Sequence, residues 1–210
     1  MFSIPGQRTI DSGVTPREIL MSDEGKIVLP GPVVIDSAVA IDGKNTGRTD
    51  ELRAGCLMAQ NTASGKWAPL KRTTVASGGG TGVTTCVLTD SRFFKVGDLI
   101  TIGGDDVTIL TIDYTTDAIT FAAKTIADGE AVISRGTAGA GYETCKGVLQ
   151  FAVRLQSGEP YISTLYDKAG TILAGGYVIQ DNVLGDLTAA RADTAARLSA
   201  FIWSDRQQNL

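Results

Sequence analysis

The amino-acid sequence predicts a mainly β fold with one C-terminal helix and an inserted small all-β barrel or sandwich domain. Three observations carry this. Short β-branched and aromatic runs recur at close spacing, separated by Gly, Asp, Asn and Pro turn signals. A single stretch, beginning at Asp186, sets apolar residues at helical spacing behind a capping residue. Two glycine-rich segments, Ala76-Ser77-Gly78-Gly79-Gly80-Thr81-Gly82 and Gly136-Thr137-Ala138-Gly139-Ala140-Gly141, bracket a run of short strands as linkers bracket an inserted domain.

Residues 1–32 hold Pro5, Gly6, Gly13, Pro16, Gly25, Pro30 and Gly31, a density that interrupts regular structure. They also carry Ile4, Ile10, Val14, Ile19, Leu20 and Met21, which are apolar enough to need a partner. The segment therefore reads as an extended arm that orders on binding. Strands begin at Val33-Val34-Ile35, and Ala38-Val39-Ala40-Ile41 reads as a second short strand. Leu52 to Ala59 leads through Asn61-Thr62-Ala63-Ser64-Gly65 into Lys66-Trp67-Ala68-Pro69-Leu70, two strands joined by a five-residue loop. Gly65 can supply the positive φ such a hairpin needs. Pro69 marks the end of the second strand or an edge position.

Between the glycine-rich segments, strands are expected at 84–89, 99–102, 107–113, 118–122 and 131–134. Turns are expected at Gly97-Asp98, Gly103-Gly104-Asp105-Asp106, Thr115-Thr116-Asp117 and Asp128-Gly129. Beyond them, strands are expected at 148–155, 161–166, 171–173 and 176–179. Asp186 caps a helix through Leu187, Ala190, Thr194 and Leu198, with Asp193 and Arg197 in the favourable acid-first i,i+4 order. Phe201-Ile202-Trp203 reads as a closing strand. The expected organisation is an arm at 1–32, a core at 33–75 with 137–205, an insert at 76–136 and a loose tail at 206–210.

Composition excludes several function classes. The chain has no histidine, which removes the Ser–His and Cys–His nucleophile pairs and histidine-containing zinc sites. Its net charge is -4, against the basic footprint of a nucleic-acid binder. No run approaches the length of a membrane span, and the first residues lack the pattern of a secretory signal, so synthesis in a cytoplasm is expected. Cys56, Cys86 and Cys145 are odd in number and widely spaced; they read as buried, reduced residues.

Asp98, Asp105, Asp106, Asp113 and Asp117 raise a calcium or glycosidase reading. Neighbouring strand residues alternate faces, so Asp105 and Asp106 do not converge, and the group reads instead as solvated turn residues. The glycine runs do not form a phosphate loop. Trp67 and Trp203 lie in apolar strand contexts and, with Phe201, read as core or subunit-interface aromatics. The expectation is a non-enzymatic protein with no cofactor and no metal.

Two stretches resemble the head decoration proteins of lambda-type tailed bacteriophages. One is Leu52-Arg53-Ala54-Gly55-Cys56-Leu57-Met58-Ala59 through Gly65-Lys66-Trp67-Ala68-Pro69-Leu70. The other runs from Leu187-Thr188 to Leu198-Ser199-Ala200-Phe201-Ile202-Trp203. Between them, Gly147-Val148-Leu149-Gln150-Phe151-Ala152 is similar to a phrase that follows the first hairpin closely in that family. The resemblance covers about half the chain, and the block from Val83 to Ile133 interrupts it. It implies a capsid cement protein with a β-rich decoration core, a homotrimer on the outer surface of the expanded head. Its implied partner is the major capsid protein, with no nucleic acid and no membrane, and its implied location is the virion. Ile4, Arg8, Ile10, Val14 and Arg17 in the arm become the capsid-contact candidates, acting by strand addition. The alternative is a phage or surface adhesin, a glycan-binding β module.

Overall fold

The computed structural model describes residue 20 and residues 26–30, 33–135, 141–155, 168–193 and 198–204, with no side-chain description at 168, 169, 177 and 204. Its strands are β1 (Ile27–Val28), β2 (Val33–Ile35), β3 (Glu51–Leu52), β4 (Leu57–Gln60), β5 (Trp67–Pro69), β6 (Arg72–Ser77), β7 (Gly80–Leu88), β8 (Leu99–Ile102) and β9 (Asp105–Thr108). They continue as β10 (Thr111–Asp113), β11 (Ala118–Ile126), β12 (Ala131–Arg135), β13 (Cys145–Leu149), β14 (Val153–Arg154), β15 (Lys168–Gly170), β16 (Ile172–Ile179) and β17 (Phe201–Ser204). Among the described residues one helix, α1 (Leu187–Ala192), completes the regular elements together with a 3-10 turn at Gln180–Asn182. The mainly β reading with one short helix is what the structure has.

An eight-stranded sheet has the order β1-β16-β13-β4-β5-β2-β15, with β17 running parallel to β16. Its inner strands are buried on both faces. Leu57 and Ala59 enter one hydrophobic cluster with Ala68, Val148 and Leu173, while Met58 enters another with Trp67, Leu149 and Ile172. That two-sided burial is why these strands read as continuous apolar runs without alternation. A separate pair joins β3 to β14.

A seven-stranded sheet, β10-β11-β7-β6-β12-β8-β9, draws all its strands from residues 72–135 and encloses its own cluster. Ile100, Ile102, Ile119, Phe121 and Val132 fill it. Here the strands do alternate, as in Leu99–Ile102, where the two isoleucines point inward. The sheet curls until its ends approach: β9 returns beside β11, Lys124 pairs with Asp105 at 3.1 Å, and a Cβ at Gly103 would stand 2.5 Å from the Thr125 carbonyl oxygen. The β8–β9 connection is the two-residue turn Gly103-Gly104, both at positive φ, as a tight hairpin between right-twisted strands requires.

Several expectations are corrected. Residues 76–82 are not a linker. Ala76 and Ser77 end β6, and Gly80, Thr81 and Gly82 begin β7. The glycines there permit close approach: a Cβ at Gly79 would lie 2.7 Å from Asp128 N, and Gly79 N donates to Asp128 Oδ1 at 2.8 Å. Residues 38–41 form no strand, because Asp36 accepts from Ala38 N through its side chain and from Ala40 N through its carbonyl, closing a turn. The run 107–113 is two strands. Ile109 still donates to Asp98 O, but Leu110 donates to Thr120 O, so the chain changes partner at a corner of the curled sheet. The run 148–155 breaks in the same way: β13 ends at Leu149 and β14 pairs with β3, leaving Phe151 exposed at the switch. Residues 171–173 and 176–179 lie within a single region of pairing, 172–179 forming β16. The expected strand at 161–166 lies outside the described residues.

The Asn61–Gly65 loop forms as read. Asn61 Oδ1 accepts from Ala63 N and Ser64 N, and Gly65, at φ 72°, returns its N–H to Asn61 O. Pro69 ends β5, although β5 lies inside the sheet between β4 and β2. Asp186 caps α1, its Oδ1 accepting from Ala189 N at 2.8 Å. The helix ends at Ala192, and Asp193 pairs with Arg72 at 3.2 Å.

Candidate functional site

The capsid-contact candidates Ile4, Arg8, Ile10, Val14 and Arg17 lie outside the described residues. What the structure gives is the place where that segment joins the body. Leu20 forms an antiparallel bridge with Val178 of β16, and Ile27 and Val28 pair with Gly175 and Leu173 of the same strand. Leu20 and Val28 pack on the cluster that holds Leu173, Val178 and Phe201. On the other face of this edge, Ile27 and Ile202 are exposed at 52% and 53%. Between them Gly175 allows close contact: a Cβ there would lie 2.9 Å from Ala200 Cβ and 3.1 Å from Ile27 Cδ1. The edge is a strip of sheet with apolar side chains facing solvent.

The three aromatics fall in two settings. Trp67 is buried beside Ile35, and Phe201 is buried against the opposite cluster. Trp203 is half-buried, 5.2 Å centroid to centroid from Phe201, with the Arg191 guanidinium 4.9 Å over its ring. Cation and aromatic thus lie together where α1 meets β17.

A second region was not anticipated from the sequence: a polar junction that fixes the curled sheet to the eight-stranded one. Lys44 Nζ donates to Asp117 Oδ2 at 2.8 Å and stands 3.2 Å from Asp90. Asp117 takes a positive φ of 59° and also accepts from Ser91 N and Ser91 Oγ. Thr73 and Thr74 each donate a hydroxyl to Asp186 Oδ2 at 3.1 Å, so the helix cap is also a tie across the junction. Phe93, from the segment between β7 and β8, enters the cluster of Trp67 and Leu149. At the centre, Lys71 Nζ donates to Asp98 Oδ2 at 3.0 Å, and both side chains are excluded from solvent. The usable signal in the sequence was the strand pattern alone; nothing in the spacing of Lys71 and Asp98 marks them as a pair.

Removing the Asp186 carboxylate tests this junction. Asp186→Ala deletes a helix cap and the acceptor for two threonine hydroxyls, and should lower the unfolding free energy by about 2–3 kcal/mol. Urea denaturation checks it, and an unchanged midpoint would show that the cap is not coupled to β6.

The acidic residues of the second sheet divide. Asp105 and Asp106 are exposed; Asp105 pairs with Lys124 and Asp106 accepts from the Thr101 hydroxyl. Asp98 and Asp117 are not solvated turn residues as expected, because each is engaged by a lysine at the junction. No group of three or more His, Cys, Asp or Glu arranged to hold a metal occurs among the described residues. The three cysteines are unpaired and buried. Burial pushes the Cys86 thiol up to about 11, Cys145 up to about 12, and Cys56 higher still, so each stays protonated and unreactive at neutral pH. No protein-family model, curated protein or solved structure matches this chain.

Proposed function

We propose that the protein is a capsid cement protein, a non-enzymatic homotrimer that binds the outer surface of an expanded bacteriophage head and stabilises it. The observation that carries this reading is the edge at β1, β16 and β17. Leu20 is tied to Val178 there, beside exposed Ile27 and Ile202. An N-terminal segment with scattered apolar residues, attached to the body at Leu20, suits strand addition to a capsid subunit, with backbone hydrogen bonds for affinity and side chains for register. Three such arms on one trimer would act together through high effective concentration.

Two further features support the reading. The stretches that resemble decoration proteins include β4, β5, β13, α1 and β17, whose strands share the eight-stranded sheet, while the interruption, Val83 to Ile133, falls inside the span of the curled one, 72–135. The two sheets are also held by ion pairs and side-chain hydrogen bonds, which suits a body that must resist load.

The test is binding to purified, undecorated expanded heads. The full chain should sediment with the heads, appear as added density on their outer surface, and have the mass of a trimer in light scattering. A chain lacking residues 1–19 keeps Leu20 and its bridge, and should remain a folded trimer that no longer binds. A free monomer indifferent to heads would overturn the reading, and undiminished binding by the truncated chain would remove the arm's role.

A further inference from the structure

The Lys71–Asp98 pair has features that an ordinary structural ion pair does not need. Lys71 lies between Leu70, which belongs to the core of the eight-stranded sheet, and β6, the first strand of the curled one. Its backbone is held on both sides: Lys71 N donates to Tyr142 O at 2.8 Å, and Ser134 N donates to Lys71 O at 3.0 Å. The side chain points inward, with Nζ 5.8 Å from the centroid of the buried Phe94 ring. Asp98 sits in the turn before β8, fixed by its own N–H to Lys95 O and by Ile109 N to its carbonyl. The two carboxylate oxygens are unequal. Oδ2 accepts from Lys71 Nζ and from Lys95 N, each at 3.0 Å, whereas Oδ1 is buried without a hydrogen-bond partner.

We propose that Lys71 and Asp98 condense to an intramolecular isopeptide bond that cross-links the joint between the sheets to the turn before β8. In the step, Nζ attacks Asp98 Cγ, a Cγ–N bond forms, and one Cγ–O bond breaks. The departing oxygen takes two of the three ammonium protons and leaves as water; the third stays on the amide nitrogen. No oxidant, reductant or second reactant enters. Lys95 N–H, already on Oδ2, is placed to hold the oxygen that remains, and the unpartnered Oδ1 is the one free to leave.

Burial supplies the driving force. In water an ammonium and a carboxylate resist condensation because hydration stabilises both charges. Here both groups have lost that hydration, and a neutral amide replaces a desolvated ion pair. Burial also pushes the Lys71 ammonium toward the neutral amine, the nucleophilic form, against the opposing pull of Asp98. Tyr114, whose hydroxyl donates to Phe94 O at 2.8 Å, is held in its neutral form by burial and, further, by the nearby Asp98 charge.

The experiment is intact-mass spectrometry of the denatured full chain, followed by peptide mapping. The expected result is a chain lighter than its sequence by one water, with a branched peptide joining Lys71 to Asp98. Lys71→Met and Asp98→Ala should each restore the full mass, and that readout does not require the variants to fold as well as the native chain. Full mass in the native protein after prolonged incubation in its folded state would overturn the proposal. So would a water loss that maps to a linear peptide at Asp42-Gly43 or Asp128-Gly129, where cyclisation to a succinimide gives the same mass.

Discussion

Lys71→Met is expected to lower the unfolding free energy by about 3–5 kcal/mol, because it leaves Asp98 charged, dry and unpaired. Lys71 and Asp98 are 0% and 1% exposed, and Asp98 Oδ1 has no other group to turn to. A domain of this size has only about 5–15 kcal/mol in hand, so the variant should melt far below the native protein. Urea titration followed by the fluorescence of buried Trp67 measures it. Adding Asp98→Asn removes the stranded charge and keeps an acceptor for Lys95 N–H, so the double variant should recover most of the loss if the native link is ionic. A covalent link changes that outcome: the double variant then stays well below the native protein, because a closed loop in the unfolded chain has been opened. A single-variant loss under about 1 kcal/mol would mean that the pair behaves like a solvated surface bridge.

Gly55→Ala should cost roughly 2–5 kcal/mol. Gly55 has a φ of 93°, in the left-handed region, and an added Cβ would stand 2.3 Å from the Asn182 carbonyl oxygen. That contact is with backbone, which cannot rotate aside. The residue also joins two segments at once: its N–H donates to Leu149 O, and its carbonyl accepts from Leu184 N, each at 2.8 Å. Displacing Gly55 therefore pulls on β13 and on the segment that leads into α1 together. The change should lower the denaturation midpoint and increase amide exchange at both Gly55 and Leu184. A variant with native stability would show that Asn182 can move without cost. Gly55 belongs to the Arg53-Ala54-Gly55 phrase, and the close approach is a physical reason for a glycine there.

Local chemistry was readable wherever the residue and its partner are near in sequence. The Asn61–Gly65 loop closes through its own side chain and glycine, and Asp186 caps the helix three residues away from its donor. Gly103 and Gly104 turn the chain as expected, but Asp105 and Asp106, expected in the same turn, begin β9 instead. Strand ends were less readable where one run serves two partners. At Leu110 and near Phe151 the residues keep their β character while the chain passes from one neighbour to another, and nothing in the residue types marks that change. The glycines at 78–82 show the same ambiguity from the other side. A residue without a side chain serves a flexible linker and a tight backbone contact equally well, and only the presence of Asp128 against Gly79 distinguishes them.

The amino-acid order by itself determined the β character, the helix cap, the hairpin closed by Asn61–Gly65 and the exclusion of histidine chemistry, because periodicity, turn residues and composition act over a few positions. Tertiary structure alone decided that the second sheet curls against the first through a dry lysine–aspartate pair, that Asp186 also holds Thr73 and Thr74, and that Leu20 joins the edge at Val178. Those contacts join residues separated by 27, 113 and 112 positions in the first two cases, and they form only once burial has removed the water that would otherwise satisfy each group.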